Sequence, residues 1–411
     1  MNRAKQTKLL SVVVATVVVL MPLHALVTTF LASHFGHFDI WRIWKDIVIA
    51  VVCLVTLPLV DWGEEAIRWL RYTNLARLMT IYVLLFVLLG LSALLGGRVN
   101  GSALVYSLLS NLRFIGFFVV SYYLASQTPW LRTHWLKFVL APAAVVVGFG
   151  LLQHFVLPND FLRHVGYGSK TIPAYQTVDQ KSNYVRLQST LRGPNPLGAY
   201  LVIVLSVVVA VGLRVKKSQL FWAARLVATL IVLFFTYSRS AWLGAILAIL
   251  IILGKYYKQQ LTRRRLVAVG AATVSVFIAL TFGLRHNDRF QNTFFHTDEH
   301  STSRDSSNAD RTSALKSGLK DLWHQPWGGG PGTAGPASVR SNHGVRLAEN
   351  YFIQIGQEIG ILGMLVFVAI NILVAAALWR QTDDLSVALA ASLVGLSLIN
   401  MLSHEIGRAH V

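Results

Sequence analysis

Leu197-Gly198-Ala199-Tyr200-Leu201-Val202-Ile203-Val204-Leu205-Ser206-Val207-Val208-Val209-Ala210-Val211-Gly212-Leu213 runs for seventeen residues without a charge. A helix rises 1.5 Å per residue, so about 17–25 such residues cross a ~30 Å hydrocarbon core. In lipid a backbone must satisfy its own polar groups, which a helix does within one segment. The run does not alternate apolar with polar residues, which excludes a β-barrel strand.

Ten more segments read the same way: roughly 9–32, 46–61, 77–96, 102–126, 136–157, 219–237, 240–254, 266–284, 351–379 and 384–403. Composition agrees. Of 411 residues, 54% are apolar and 13% charged, against about 25% charged in a soluble domain; mean hydropathy is +0.55. An ordinary soluble enzyme, a disordered chain and a disulfide scaffold are all excluded. The single cysteine, Cys53, cannot form an intramolecular disulfide. The fold expected is all-α: a polytopic membrane bundle of about 11–12 helices. Met1-Asn2-Arg3-Ala4-Lys5-Gln6-Thr7-Lys8 precedes the first segment like a signal peptide, but no convincing cleavage site follows, so it reads as a retained anchor.

Lysine and arginine set the orientation. With the N-terminus inside, the inner segments carry Arg3, Lys5, Lys8, Arg68, Arg71, Arg77, Arg132, Lys137, Arg214, Lys216, Lys217, Lys255, Lys258, Arg263, Arg264, Arg265 and Arg380; the short outer ones carry only Arg42, Lys45, Arg98 and Arg239. The chain then divides into five spans over 1–157, an outer loop over 158–196, spans six to nine over 197–284, a large outer loop over 285–350 and the last two spans over 351–411. The net charge of +19 belongs mostly to inner loops, and surplus arginine outside them suits an anionic substrate. The large loop should contain an amphipathic helix capped by Ser307 or Asn308, with Leu315, Leu319, Leu322 and Trp323 on one face, stopped at Gln325-Pro326. The glycine-rich run Trp327-Gly328-Gly329-Gly330-Pro331-Gly332 follows.

Three motifs carry candidate chemistry. Arg192-Gly193-Pro194-Asn195-Pro196-Leu197-Gly198 stands at the outer mouth of the sixth span, with Arg186 six residues before it. Proline near a helix start is common, but the arginines suit phosphate oxygens. Thr236-Tyr237-Ser238-Arg239-Ser240-Ala241-Trp242 is a tight outer turn. Arg239 there either snorkels to the interface beside Trp242 or meets a lipid phosphate. His343-Gly344-Val345-Arg346-Leu347-Ala348-Glu349-Asn350-Tyr351 leads into Glu358-Ile359-Gly360-Ile361-Leu362-Gly363. Asn350 is a helix cap or a site residue. Glu358, two turns into a span, is functional by default or else a structural partner for an arginine. His343 is a general base or a plain loop residue. Arg113, in mid-span, should face the interior and pair with an acid. No Walker loop, zinc spacing, HExxH or GxSxG occurs.

In this order and on these loops, the motifs resemble the O-antigen ligase (WaaL) family, within the O-antigen ligase/polymerase (Wzy_C-like) superfamily. The resemblance spans about residues 180–365. It rests on the Arg192–Gly198 element, Ser238-Arg239, the Gly/Pro-rich end of the large loop from Pro326 to Gly335, and Glu358, Gly360 and Gly363. One position departs: where the family commonly shows His-Asn before the helix, this chain has Glu349-Asn350. Either Glu349 takes the histidine's role or His343 folds back to it. Such ligases usually have twelve spans, and the tail from Ser403 to Arg408 does not look native, so a final helix is expected to be missing.

The resemblance implies a GT-C-like fold in the bacterial inner membrane, with short helices in the large loop and the active site on the periplasmic side. It implies transfer of a glycan from undecaprenyl-pyrophosphate-linked O-antigen to lipid A–core oligosaccharide. Arg192, Arg239 and Arg186 would hold the pyrophosphate, and His343 or Glu349 would act as base. Asn195, Asn350 and Glu358 would support them. No cofactor, metal or nucleic acid is expected; membrane lipids are. An O-antigen polymerase or protein O-oligosaccharyltransferase shares this chemistry. A polysaccharide or lipid transporter would instead place its charges near the bilayer midplane.

Overall fold

The computed structural model describes residues 3–60, 73–178, 181–216, 218–257, 306–341, 345–346 and 350–402. Helices α1 (Arg3–Leu20) and α2 (His24–Phe35) join through a 3-10 turn over Met21–Leu23, where Pro22 interrupts the helical ladder. After a short α3 (Phe38–Arg42), α4 (Trp44–Thr56) returns through the bundle. Next come α5 (Asn74–Leu95), α6 (Gly101–Gln127) and α7 (Trp130–Phe155). Thr73 and Asn100 cap α5 and α6 by accepting from Ala76 N and Ala103 N, each satisfying a donor the helix start leaves open.

The second half holds α8 (Pro194–Arg214), α9 (Gln219–Phe235), α10 (Arg239–Tyr256), α11 (Ser306–His324), α12 (Tyr351–Arg380) and α13 (Asp384–Leu402). Among the described residues eight helices are long and apolar enough to cross a membrane. The segments expected at 46–61 and 219–237 are present as the shorter α4 and α9. That expected at 266–284 lies outside the described residues. The architecture is the all-α polytopic bundle, with one addition. The first long loop carries a small antiparallel hairpin, β1 (Gln176–Val178) and β2 (Lys181–Arg186), whose short strands a search for long apolar runs passes over.

Helix α8 is the most enclosed element. Leu197, Leu201, Val202, Leu205 and Val208 are buried against residues such as Val146, Val232, Ala245 and Val387 from its neighbours. Helices α10 and α13 meet backbone to backbone: a Cβ on Gly244 would stand 2.8 Å from the Gly395 carbonyl oxygen. Small residues permit such contacts where lipid gives helices no hydrophobic drive to associate. A second core joins α5, α6 and α12 through Tyr82, Phe86, Ile115, Ile355 and Phe367. Leu84, Leu88, Val105, Leu152 and Leu220 point outward, as a chain solvated by lipid allows.

The helix ends sort into two sets. At one, Arg214 Nε meets Asp384 Oδ1 at 2.9 Å, and Tyr256 donates to the same oxygen at 2.7 Å. Arg3 there donates to the Leu59 carbonyl. At the other, Asn100 Nδ2 donates to the Arg340 carbonyl at 2.6 Å, and Asn350 Nδ2 to that of Met401 at 2.9 Å. The first long loop issues from this second end, and the described part of the second loop meets it at Arg340.

Candidate functional site

The loop before α8 dips into the bundle as irregular chain. Gln188, Ser189 and Thr190 are buried. Ser189 N donates to Gln153 Oε1 at 2.8 Å, and Ser189 Oγ donates to the Val146 carbonyl at 2.7 Å. Thr190 Oγ1 donates to the Pro22 carbonyl at 3.0 Å, and Gln188 Nε2 to those of Pro173 and Ala174, each at 2.9 Å. Non-helical backbone at this depth stands only when protein satisfies it. These residues were not singled out in the sequence; a glutamine inside an apolar run, Gln153, was the available signal.

This dip fixes the two ends of the first motif. On one side Arg186 reaches the turn between α9 and α10. Its Nε donates to the Thr236 carbonyl at 3.0 Å and its Nη2 to that of Tyr237 at 3.5 Å and to Asn195 Oδ1. Leu187 N donates to the Phe235 carbonyl at 2.9 Å. Gly198 then lets α8 lie against α10, since a Cβ there would stand 2.5 Å from Ala241 Cβ. The Arg192–Gly198 and Thr236–Trp242 motifs are therefore one corner, with Arg186 and Asn195 as its tie.

Within the corner, Arg239 opens α10 and is half-buried. Trp242 stacks on Phe234 with centroids 5.6 Å apart, and its Nε1 donates to the Leu233 carbonyl at 3.0 Å. Tyr237 takes a left-handed φ of 49°. Burial pushes its phenol up from the ordinary value, and Tyr184 adds to this, so it is a neutral hydrogen-bonding group at working pH. Arg192 lies on the other side of the dip, where its charge bears on His24 and Lys45.

The third motif is a helix opened by a loop. In α12, Ile359 leaves helical geometry and Gly360 takes φ 78°, ψ 175°. The glycine-rich segment fills the break. Gly329 N donates to the Gln357 carbonyl at 2.8 Å, Gly330 N to that of Glu358 at 2.9 Å, and Ile361 N to that of Pro326 at 2.9 Å. Backbones approach so closely that a Cβ on Gly360 would stand 2.5 Å from the Pro326 oxygen.

Glu358 seals this junction. It is fully buried. Its Oε1 accepts from Ser107 Oγ and from Gly332 N, each at 2.8 Å, and its Oε2 from Asn111 Nδ2 at 3.0 Å. Tyr351 donates to Asn111 Oδ1 at 3.1 Å. Among the described residues these partners are neutral, in place of the arginine considered from sequence. Hydroxyl, amide and backbone donors suffice because they converge from α6 and the glycine-rich loop. Arg113 instead pairs with Asp46, Nη1 to Oδ1 at 2.7 Å, as its mid-span position required.

Asn350 caps α12, accepting from Phe352 N at 2.9 Å and Ile353 N at 3.2 Å. His343 and Glu349 lie outside the described residues. Arg346, three residues from each along the chain, is fixed at its backbone: its N donates to Ser338 Oγ at 3.1 Å and its carbonyl accepts from Gly335 N at 2.7 Å. Helix α11 starts at Ser306, before either expected cap. It packs on α12 through Gly318 and Leu322, while Leu315, Leu319 and Trp323 are exposed. Gly318 draws the contact face toward itself, since a Cβ there would stand 2.6 Å from Ile353 Cγ2.

Residues 224–368 match the family model of O-antigen ligase. The stretch takes in Arg239, the end of the large loop, Asn350 and Glu358, and begins beyond Arg186, Arg192 and Asn195. It supports the O-antigen ligase/polymerase superfamily and an enzyme acting on lipid-linked glycans. No curated protein and no solved structure matches the chain.

Proposed function

We propose that this protein is an O-antigen ligase, transferring a glycan from undecaprenyl pyrophosphate to lipid A–core oligosaccharide at the periplasmic face of the inner membrane. The observation that carries the reading is the corner in which Arg186 ties the Arg192 motif to the Arg239 turn, at the same end as the glycine-rich loop. The donor's anomeric carbon already bears a good leaving group. Its bond to the pyrophosphate oxygen breaks as the acceptor hydroxyl oxygen bonds to carbon. Undecaprenyl pyrophosphate departs with the electron pair, and the hydroxyl proton passes to a base.

In this reading Arg192 and Arg239 hold the pyrophosphate, with Arg186 beside them, and offset its charge as it leaves. Preorganised donors of this kind are often the largest catalytic contribution. Arginine forks supply that charge without a metal or nucleotide. His343 is the base, matched to neutral pH, and Glu349 orients it or binds the acceptor sugar. His343→Ala should then slow turnover by ~10²-fold or more, with donor binding intact and Glu349→Gln milder; the reverse ranking moves the base to Glu349. The deciding experiment is reconstitution of the purified protein with lipid-linked glycan. Glycan on lipid A–core supports the ligase. Growth of the lipid-linked chain identifies a polymerase, and glycan on a protein acceptor an oligosaccharyltransferase.

A further inference from the structure

Asp46 gathers a second group of cations. Lys45 Nζ donates to Asp46 Oδ2 at 3.2 Å and to the Arg42 carbonyl at 3.1 Å. Arg113 Nη1 takes the other oxygen, Oδ1, at 2.7 Å. Each carboxylate oxygen thus faces a different cation. Arg192 adds a third positive charge close enough to bear on both Lys45 and His24. The side chains of Lys45, Asp46 and Arg113 keep 15%, 22% and 33% of their exposure. They are sheltered but open to a ligand, and sheltered charges interact several-fold more strongly than charges in bulk water. One carboxylate shared by two cations, Lys45 and Arg113, leaves a positive field there that an anion would stabilise.

A second observation points the same way. Trp44, next to Lys45 in the chain, has a buried indole Nε1 with no hydrogen-bond partner among the described residues. Its ring lies 5.6 Å from that of His24, the imidazole on which the Lys45, Arg113 and Arg192 charges bear. Orphaned donors of this kind are rare in folded proteins.

We propose that Trp44, Lys45, Arg113 and Arg192 form one subsite for a phosphate or diphosphate group, with Asp46 as the carboxylate that competes with it for Lys45 and Arg113. The proposal rests on the donor reading in one respect: Arg192 is shared. It adds Lys45 and Arg113 to the groups that hold the anion, and it brings the N-terminal helices α2, α4 and α6 into a site that the motifs place in the second half of the chain. The guanidinium of Arg113 offers a planar fork and Lys45 a point charge, the two modes by which proteins hold phosphate oxygens.

The test is binding, not transfer. The purified full chain is titrated with inorganic pyrophosphate and with farnesyl pyrophosphate, and challenged with nanodiscs containing phosphatidylglycerol. Lys45→Gln and Arg113→Gln should each weaken both pyrophosphate probes about tenfold or more, as loss of a charge-assisted contact does. Asp46→Asn should strengthen both several-fold, because the competing carboxylate is gone. A merely structural ion pair would not give that opposite sign. Unchanged affinity in folded Lys45→Gln overturns the proposal, as does weaker binding in Asp46→Asn. Binding of the phosphatidylglycerol nanodiscs with no binding of either pyrophosphate also overturns it, since the ligand is then a phosphodiester headgroup. If Arg113→Gln does not fold, Lys45→Gln and Asp46→Asn decide. Loss of binding in Arg192→Gln with none in Lys45→Gln leaves the donor reading standing and removes this subsite. Loss in Lys45→Gln from a protein that transfers no glycan does the reverse.

Discussion

Arg186 and Glu358 show how a charged residue in a membrane protein earns its place by the number of elements it joins. Arg186 reaches two carbonyls of the α9–α10 turn and the Asn195 side chain; it is a strut between two motifs. Arg192 and Arg239 belong to the two motifs that this strut joins. If they hold the donor, Arg192→Ala and Arg239→Ala should abolish transfer in a folded, inserted protein. One charge-assisted contact is worth roughly 1.5–3 kcal/mol, and lysine should rescue poorly because it lacks the fork. In vitro transfer with lipid-linked glycan checks this, and full activity in either alanine variant removes that arginine from the site. Glu358 accepts three hydrogen bonds in a sealed place. Glu358→Ala should therefore remove the carboxylate acceptor of Ser107 Oγ and Gly332 N and one of the acceptors of Asn111 Nδ2. A buried donor left unmet costs about 1–3 kcal/mol, so the variant should melt earlier in detergent than the wild type, and by more than Ser107→Ala does. Equal melting of wild type and Glu358→Ala would show the carboxylate to be dispensable for packing.

Among the elements, α12 is the one whose form depends on a partner far away in sequence. Its break at Ile359-Gly360 is stable only because Pro326, Gly329 and Gly330 supply the missing backbone partners. Gly360→Ala should fail on two counts. Its φ of 78° disfavours any L side chain, and the new Cβ would meet the Pro326 oxygen at 2.5 Å. The expected result is release of the Trp327–Gly335 segment, read as new cleavage there in limited proteolysis; an unchanged digest would refute this account of the break. The sequence revealed that Glu358, Gly360 and the glycine run mattered, because an ionisable group and clustered glycines stand out in apolar surroundings. It could not reveal that they touch, since hydropathy carries no information about pairing across some thirty residues. Spanning helices such as α5, α8 and α12 were legible because length and continuous apolarity are local properties. The buried dip at Gln188–Thr190 was not, because a polar tripeptide looks the same whether water or protein satisfies it. The outward turn of Leu315, Leu319 and Trp323 escaped for a similar reason: periodicity finds an apolar stripe, but a glycine at 318 chose the contact face.

For the molecule as a whole, everything chemical depends on which end faces which side. Alternation of the described helices brings the Arg192, Arg239 and Asn350 helix starts to one end. Arg3, Arg132, Arg214, Lys255 and Arg380 fall near the other. Lysine and arginine near helix ends favour the cytoplasm; on that rule the second set is expected inside and both long loops outside. The single cysteine makes this directly testable. Cys53 is half-buried, so Cys53→Ala gives a background without thiols. Into it go single cysteines at Ser169 in the first loop, at Trp323, which is 82% exposed on α11, and at Lys216 between α8 and α9. In intact spheroplasts a membrane-impermeant maleimide should label the Ser169→Cys and Trp323→Cys proteins, and the Lys216→Cys protein only after permeabilisation. Ser169 and Trp323 are separated in the chain by several helices, so their agreement tests the intervening crossings as well as the orientation. Opposite labelling of the two would mean an odd number of crossings between them. Protection of both, with ready labelling at Lys216→Cys, would turn the molecule over and take the arginine corner away from any periplasmic acceptor.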